Sequence, residues 1–175
     1  MTRLTKTDIR RLLELLDAEL AAVDETGELY LVGGAVMCLV FNAREATRDV
    51  DAFFKPTKRI RQAAARVAAK ANVPDTWLND AVKGFLSPHG EFDSYLELPN
   101  LRVYVAEPHY LLAMKCAAMR LGEEFHDLDD VRYLLRYLNI ERVEDALAIV
   151  TRYFDEEQLH AKTRLALEGL LPGRP

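Results

Sequence analysis

Two glycines and two aspartates carry the strongest chemical signal in this chain. Gly33 and Gly34 follow a short apolar run, Glu28 to Val32, and Asp49-Val50-Asp51 follows after a short intervening helix. A glycine pair gives the backbone freedom to turn and leaves room for another group to approach. If a helix begins just behind it, over Ala35 to about Phe41, its unpaired N–H groups and dipole favour an anion such as a triphosphate. Residues two apart on a strand share a face, so Asp49 and Asp51 are expected to project together while Val50 enters the core. Paired carboxylates repel unless a cation lies between them. Hard oxygen donors of this kind favour Mg²⁺ or Mn²⁺, which complete their shell with phosphate oxygens and water.

The elements needed to position these residues can be read around them. Thr7 to Val23 carries Ile9, Leu12, Leu13, Leu16 and Leu20 at helical spacing, with Thr7 or Asp8 as its cap. Arg48 to Phe54 reads as the aspartate strand. Thr57 to Ala71 is an alanine-rich helix that suits the crossover of an α/β core. Residues 74–90 read as irregular, anchored by Trp77 and Phe85. Glu91 to Pro99 and Leu101 to Ala106 form a hairpin about Pro99-Asn100. Four helices are expected thereafter, over Tyr110 to Leu121, Asp127 to Leu138, Val143 to Phe154 and Asp155 to Leu170, as a bundle closing a cleft over the site. The last of them reads as a packing or dimer helix, so a homodimer is one expectation. The chain divides on this reading into a core over residues 1–106 and a helical region over 107–175, which could also be one compact domain.

The order strand, Gly-Gly, helix, Arg44-x-x-Thr47-Arg48-Asp49-Val50-Asp51 resembles the signature of the polymerase-β-type nucleotidyltransferase superfamily. The gap of 14 residues between Gly34 and Asp49 is slightly longer than the commonest spacing there. More narrowly, the chain is similar to small bacterial nucleotidyltransferases grouped with AbiEii-like toxins, whose second half carries a helical lysine and then an acidic helix start. Here these stand as Tyr110 to Arg120, with Lys115, and His126 to Leu135, with Asp127 and Asp130. The resemblance implies a mixed sheet flanked by helices with a C-terminal helical bundle. It also implies Mg²⁺ or Mn²⁺ on Asp49 and Asp51, and an NTP held by Gly33, Gly34, Arg44, Thr47, Arg48, Lys115, Asp127 and Asp130. Its acceptor would be a tRNA 3′ end or a protein side-chain hydroxyl, and a cognate antitoxin would be its inhibitor.

Several of these residues admit a plainer reading. Arg44 and Arg48 are either a solvated loop pair or phosphate ligands beside a metal–triphosphate site. Lys115 taken alone is as readily a solvated helix lysine as a catalytic or triphosphate contact. Asp127 is either a helix cap, with Asp130 favoured by the dipole, or part of the chemistry. The superfamily supplies a third metal-binding carboxylate from a neighbouring strand. Glu97 is the favoured candidate, on a face shared with Asp93 and Tyr95, and Asp93 and Asp80 are alternatives.

Composition narrows the field. In 175 residues, 50% hydrophobic, there is ample material for a packed core. A formal charge of -5 argues against a surface that coats nucleic acid broadly, although Lys55 to Arg61 is locally basic. Cys38 and Cys116 match no zinc pattern and read as buried reduced thiols of a cytoplasmic protein. No signal peptide or membrane span is expected. Two other functions remain open: an inactive binding module that keeps the fold, and a small-molecule nucleotidyltransferase of the aminoglycoside-modifying type, with Glu91, Asp93 and Glu97 around a cationic substrate.

Overall fold

The computed structural model describes residues 3–120 and 126–171. The chain divides into two compact units. One comprises Met1–Gly84 with Phe92–Ala106, and the other Phe85–Glu91 with Glu107–Pro175.

The first unit is a mixed α/β structure. Strands β1 (Leu4–Thr5) and β3 (Ala46–Thr47) pair in a small antiparallel ribbon that sets Leu4 against Thr47. The main sheet has β2 (Gly27–Leu31), β4 (Val50–Lys55), β5 (Leu78–Asn79), β6 (Phe92–Glu97) and β7 (Leu101–Ala106). Its order is β5-β4-β2-β7-β6; β2/β7 and β4/β5 run parallel and the other neighbours antiparallel. Alternation along each strand buries Leu29, Leu31, Val50, Ala52, Phe54, Val103 and Val105 on one face. That face meets α1 (Lys6–Ala21) and α3 (Thr57–Ala71): a Cβ on Gly27 would lie 2.5 Å from Ile60 Cδ1 and 3.3 Å from Leu20 Cδ1. The opposite face carries Glu28, Tyr30, Asp51, Phe53, Lys55, Arg102 and Tyr104, none of them fully buried. Across it Tyr30 and Tyr104 stack with centroids 4.9 Å apart, a cross-strand pair that braces β2 against β7.

The helix of the glycine turn, α2, spans Gly33–Leu39. It starts and stops two residues earlier than the hydrophobic run suggests, because Gly33 adopts φ +66° and Gly34 already lies within the first turn. The α1 cap is Thr5 rather than Thr7 or Asp8. Its hydroxyl accepts from Asp8 N–H while the Asp8 carboxylate accepts from Thr5 N–H, a reciprocal capping box. α3 is the crossover between the parallel strands β4 and β5, as its alanine-rich pattern predicts. Residues 74–90 are less irregular than expected, since Leu78–Asn79 adds to the edge of the sheet. Trp77 anchors this segment, donating its indole N–H to the Ala64 carbonyl at 3.0 Å, whereas Phe85 is 65% exposed and anchors nothing.

The second unit is helical, with α4 (Pro108–Ala117), α5 (Asp127–Tyr137), α6 (Val143–Tyr153) and α7 (Ala161–Leu170). Glu107 caps α4 by accepting from His109 and Tyr110 N–H, with Pro108 at the first helical position. The helix expected to reach Leu121 ends at Ala117; Leu121 itself lies outside the described residues. The single helix expected from Asp155 to Leu170 is a 3₁₀ turn, Glu156–Gln158, followed by α7. The loop Phe85–Glu91 is tied into this unit. Tyr110 Oη accepts from Ser87 N–H, and Tyr153 O–H donates to Glu91 Oε2 at 2.8 Å. Cys38 and Cys116 are both buried, and burial pushes the pKa of the Cys116 thiol up to about 12. Among the described residues no helix is long and apolar enough to cross a membrane.

Candidate active site

The register of β2 against β4 builds the site. Leu31 lies opposite Ala52, so the chain leaving β2 turns at Gly33 beside Asp51, and Val32 N–H donates to the Asp51 carbonyl at 3.0 Å. A Cβ on Gly33 would lie 3.0 Å from Asp51 Oδ2, and one on Gly34 would lie 2.8 Å from both Arg44 Nη1 and Thr47 Oγ1. The structure thus brings Gly33, Gly34, Arg44, Thr47 and Asp51 together. Thr47 is buried, fixed through β3 and its pairing with β1, and Arg44 is half-buried.

These contacts make the glycines specific requirements. Gly34→Ala is expected to displace Arg44 and Thr47 and to cost about 1–3 kcal/mol through overpacking, read as a lower Tm in a thermal melt. Wild-type stability in that variant would show that the close approach at Gly34 is unimportant.

The other expected residues are placed differently. β4 begins at Val50, so Asp49 lies in the bend before the strand, half-buried, and Arg48 stands exposed beside it. Val50 is fully buried, as its place between the aspartates predicts. Glu97 is not brought to Asp51. It lies on β6 at the far edge of the sheet, three strand positions from β4 or about 14 Å at the usual spacing. Nor do Asp93, Tyr95 and Glu97 share a face: a bulge between Ser94 and Leu96 shifts the register, so Glu97 pairs with Arg102 and Asp93 with Val105. Asp80 is engaged by Arg61 at 2.5 Å and Lys83 at 3.1 Å. Burial alone would raise its pKa; the hydrogen bonds from Lys83 and Arg61 outweigh that and hold it below the ordinary value.

The residue sequence reading missed is Asn79. It lies directly across from Asp51 on β5 and donates Nδ2–H to Asp51 Oδ1 at 3.1 Å. Its only signal was a place after the apolar pair Trp77-Leu78.

A family model described as nucleotidyltransferase of unknown function (DUF6036) matches residues 10–165. The chain belongs to that family. No curated protein and no solved structure matches it. The span matched to this nucleotidyltransferase family takes in the glycine turn, both aspartates and Asn79, together with the helical residues singled out above.

Those helical residues form a second cluster, within the second unit. Lys115 is only 8% exposed; its Nζ lies 3.0 Å from Asp127 Oδ1 and 2.7 Å from Asp130 Oδ2, and both aspartates are buried. Arg120 adds its backbone N–H and Nε–H to Asp127 Oδ2 at 3.1 and 3.0 Å. Lys115 is therefore no solvated helix lysine, and Asp127 serves an ion cluster rather than capping α5. Burial would raise the Asp127 pKa, but the Arg120 hydrogen bond and the Lys115 charge prevail and lower it.

The donor set at the turn suits a divalent cation of the Mg²⁺ type in one respect. Asp51 presents carboxylate oxygen beside a glycine cradle, and such ions are commonly held by one or two carboxylates plus substrate phosphates. Among the described residues no group of three or more His, Cys, Asp or Glu stands close enough to hold a metal ion through protein ligands alone.

Proposed function

We propose that the protein transfers a nucleoside monophosphate from an NTP to an acceptor hydroxyl. The observation that carries this reading is the Asp51 carboxylate at the Gly33-Gly34 turn, with Arg44 and Thr47 closing on Gly34. Membership of a nucleotidyltransferase family supports it. Asp49 and Asp51 would hold Mg²⁺ or Mn²⁺. When bound, the cation would offset phosphate charge and lower the pKa of the acceptor hydroxyl. The bare turn would let the phosphates approach the backbone. Arg44, and Arg48 from the bend before β4, would fix their orientation and offset charge on the leaving group. The acceptor oxygen bonds to the α-phosphorus, the bond from that phosphorus to the β-bridging oxygen breaks, pyrophosphate leaves, and the hydroxyl proton passes to solvent.

The resemblance to AbiEii-like toxins supports a tRNA 3′ end or a protein hydroxyl as acceptor and a cognate antitoxin as inhibitor. Purified protein incubated with each α-³²P-labelled NTP, Mg²⁺ and bulk tRNA or cell extract tests the reaction. Label transferred by the wild type and lost in Asp49→Ala/Asp51→Ala is the expected result; the size of the labelled species identifies the acceptor. No transfer, and no Mg²⁺-dependent NTP binding, would return the protein to the inactive binding-module reading. Slowed growth on expression would support a toxin role, and drug resistance an aminoglycoside-type activity.

A further inference from the structure

Asn79 is tied at both ends of its amide. Its Oδ1 accepts from Ala81 N–H at 3.0 Å, and its Nδ2 donates to Asp51 Oδ1 at 3.1 Å. Turning the amide over would set NH₂ against the Ala81 N–H and carbonyl oxygen against the carboxylate, so its sense is fixed by both neighbours. With Oδ1 held in this way, Asp51 faces the Gly33 turn with Oδ2. At the strand position directly beside Asp51 the protein therefore offers a hydrogen-bond donor, where an aspartate of the same size would have offered a further anionic oxygen.

We infer that Asn79 is a positioning residue that fixes the orientation of the Asp51 carboxylate, and that an amide in its place makes the site take its divalent cation together with a triphosphate rather than alone. The inference rests on the proposed metal role of Asp49 and Asp51. Two carboxylates without a third protein anion leave most of the cation's shell to be filled, and phosphate oxygens are the ligands that fill it. The lack of any three-membered acidic or His/Cys group among the described residues agrees with this.

Equilibrium dialysis of the full chain against Mn²⁺, with and without inorganic triphosphate, tests the assignment. Triphosphate carries no base, so the unknown NTP preference does not enter. Wild type is expected to retain Mn²⁺ only when triphosphate is present. Asn79→Ala, which removes a hydrogen bond to a charged group, should bind about tenfold more weakly. Asn79→Asp keeps the acceptor for Ala81 N–H, and with it the loop, and should retain Mn²⁺ without triphosphate. Wild-type affinity in Asn79→Ala, or a continued need for triphosphate in Asn79→Asp, overturns the inference. If wild type with triphosphate retains no Mn²⁺, the metal role of Asp51 fails separately. A crystal structure of Asn79→Ala then decides the positioning: a reoriented Asp51 carboxylate upholds it and an unchanged one refutes it.

Discussion

Asp51→Asn is expected to lower nucleotidyl transfer by about a thousandfold or more while the protein stays folded. The substitution keeps size and leaves a carbonyl oxygen able to accept from Asn79 Nδ2–H, so the β4/β5 edge survives. What it removes is the negative charge facing the Gly33 turn. Losing a metal-holding carboxylate withdraws several kcal/mol of transition-state stabilisation, and about 4 kcal/mol corresponds to three decades in rate. The comparison is made by label transfer at saturating Mg²⁺, with a thermal melt of each protein alongside. Transfer within tenfold of wild type would remove Asp51 from the chemistry.

Lys115→Ala is expected to act on stability first. It leaves Asp127 and Asp130, which are 3% and 2% exposed, without their shared cation. Removing one partner of a buried pair costs about 3–5 kcal/mol. In a domain of this size that lowers Tm by about 6–20 °C. A variant that melts like wild type but loses transfer would instead assign Lys115 to the triphosphate. The same cluster sets a pH dependence. The folded-state pKa of Asp127 lies below its ordinary value of 3.8, so its stabilising contribution is fully present above about pH 4. It is lost as pH falls through the lower folded value. Acid unfolding followed by circular dichroism should therefore begin at higher pH in Asp127→Asn than in wild type, since the asparagine variant lacks this contribution throughout.

Features with a strong local cause were readable in the sequence. Ile60, Ala64, Val67 and Ala68 share one helical face, and α3 spans Thr57–Ala71 as that pattern demands. The turn at Gly33 was readable because positive φ favours glycine. What escaped was decided by partners distant in sequence. β5 has only two residues and is a strand because β4 lies beside it, so no periodicity marks it and Asn79 reads as loop in the sequence. The bulge in β6 follows from pairing with β7 and reverses the face on which Glu97 lies. Lys115 lies on a helix with apolar residues around most of its circumference, and its burial with two aspartates becomes visible only when α4 and α5 pack together.

The chain passes from one unit to the other at Gly84, returns at Phe92 and leaves again after Ala106. No single cut separates the two. A fragment ending at Ala106 would retain Ser87 and Glu91 but lose Tyr110 and Tyr153, the phenols that hold them. The helical unit is thus drawn from two separate stretches of the chain rather than from a single C-terminal tail. Exchange of that half between relatives would require grafting the Phe85–Glu91 segment together with the C-terminal helices.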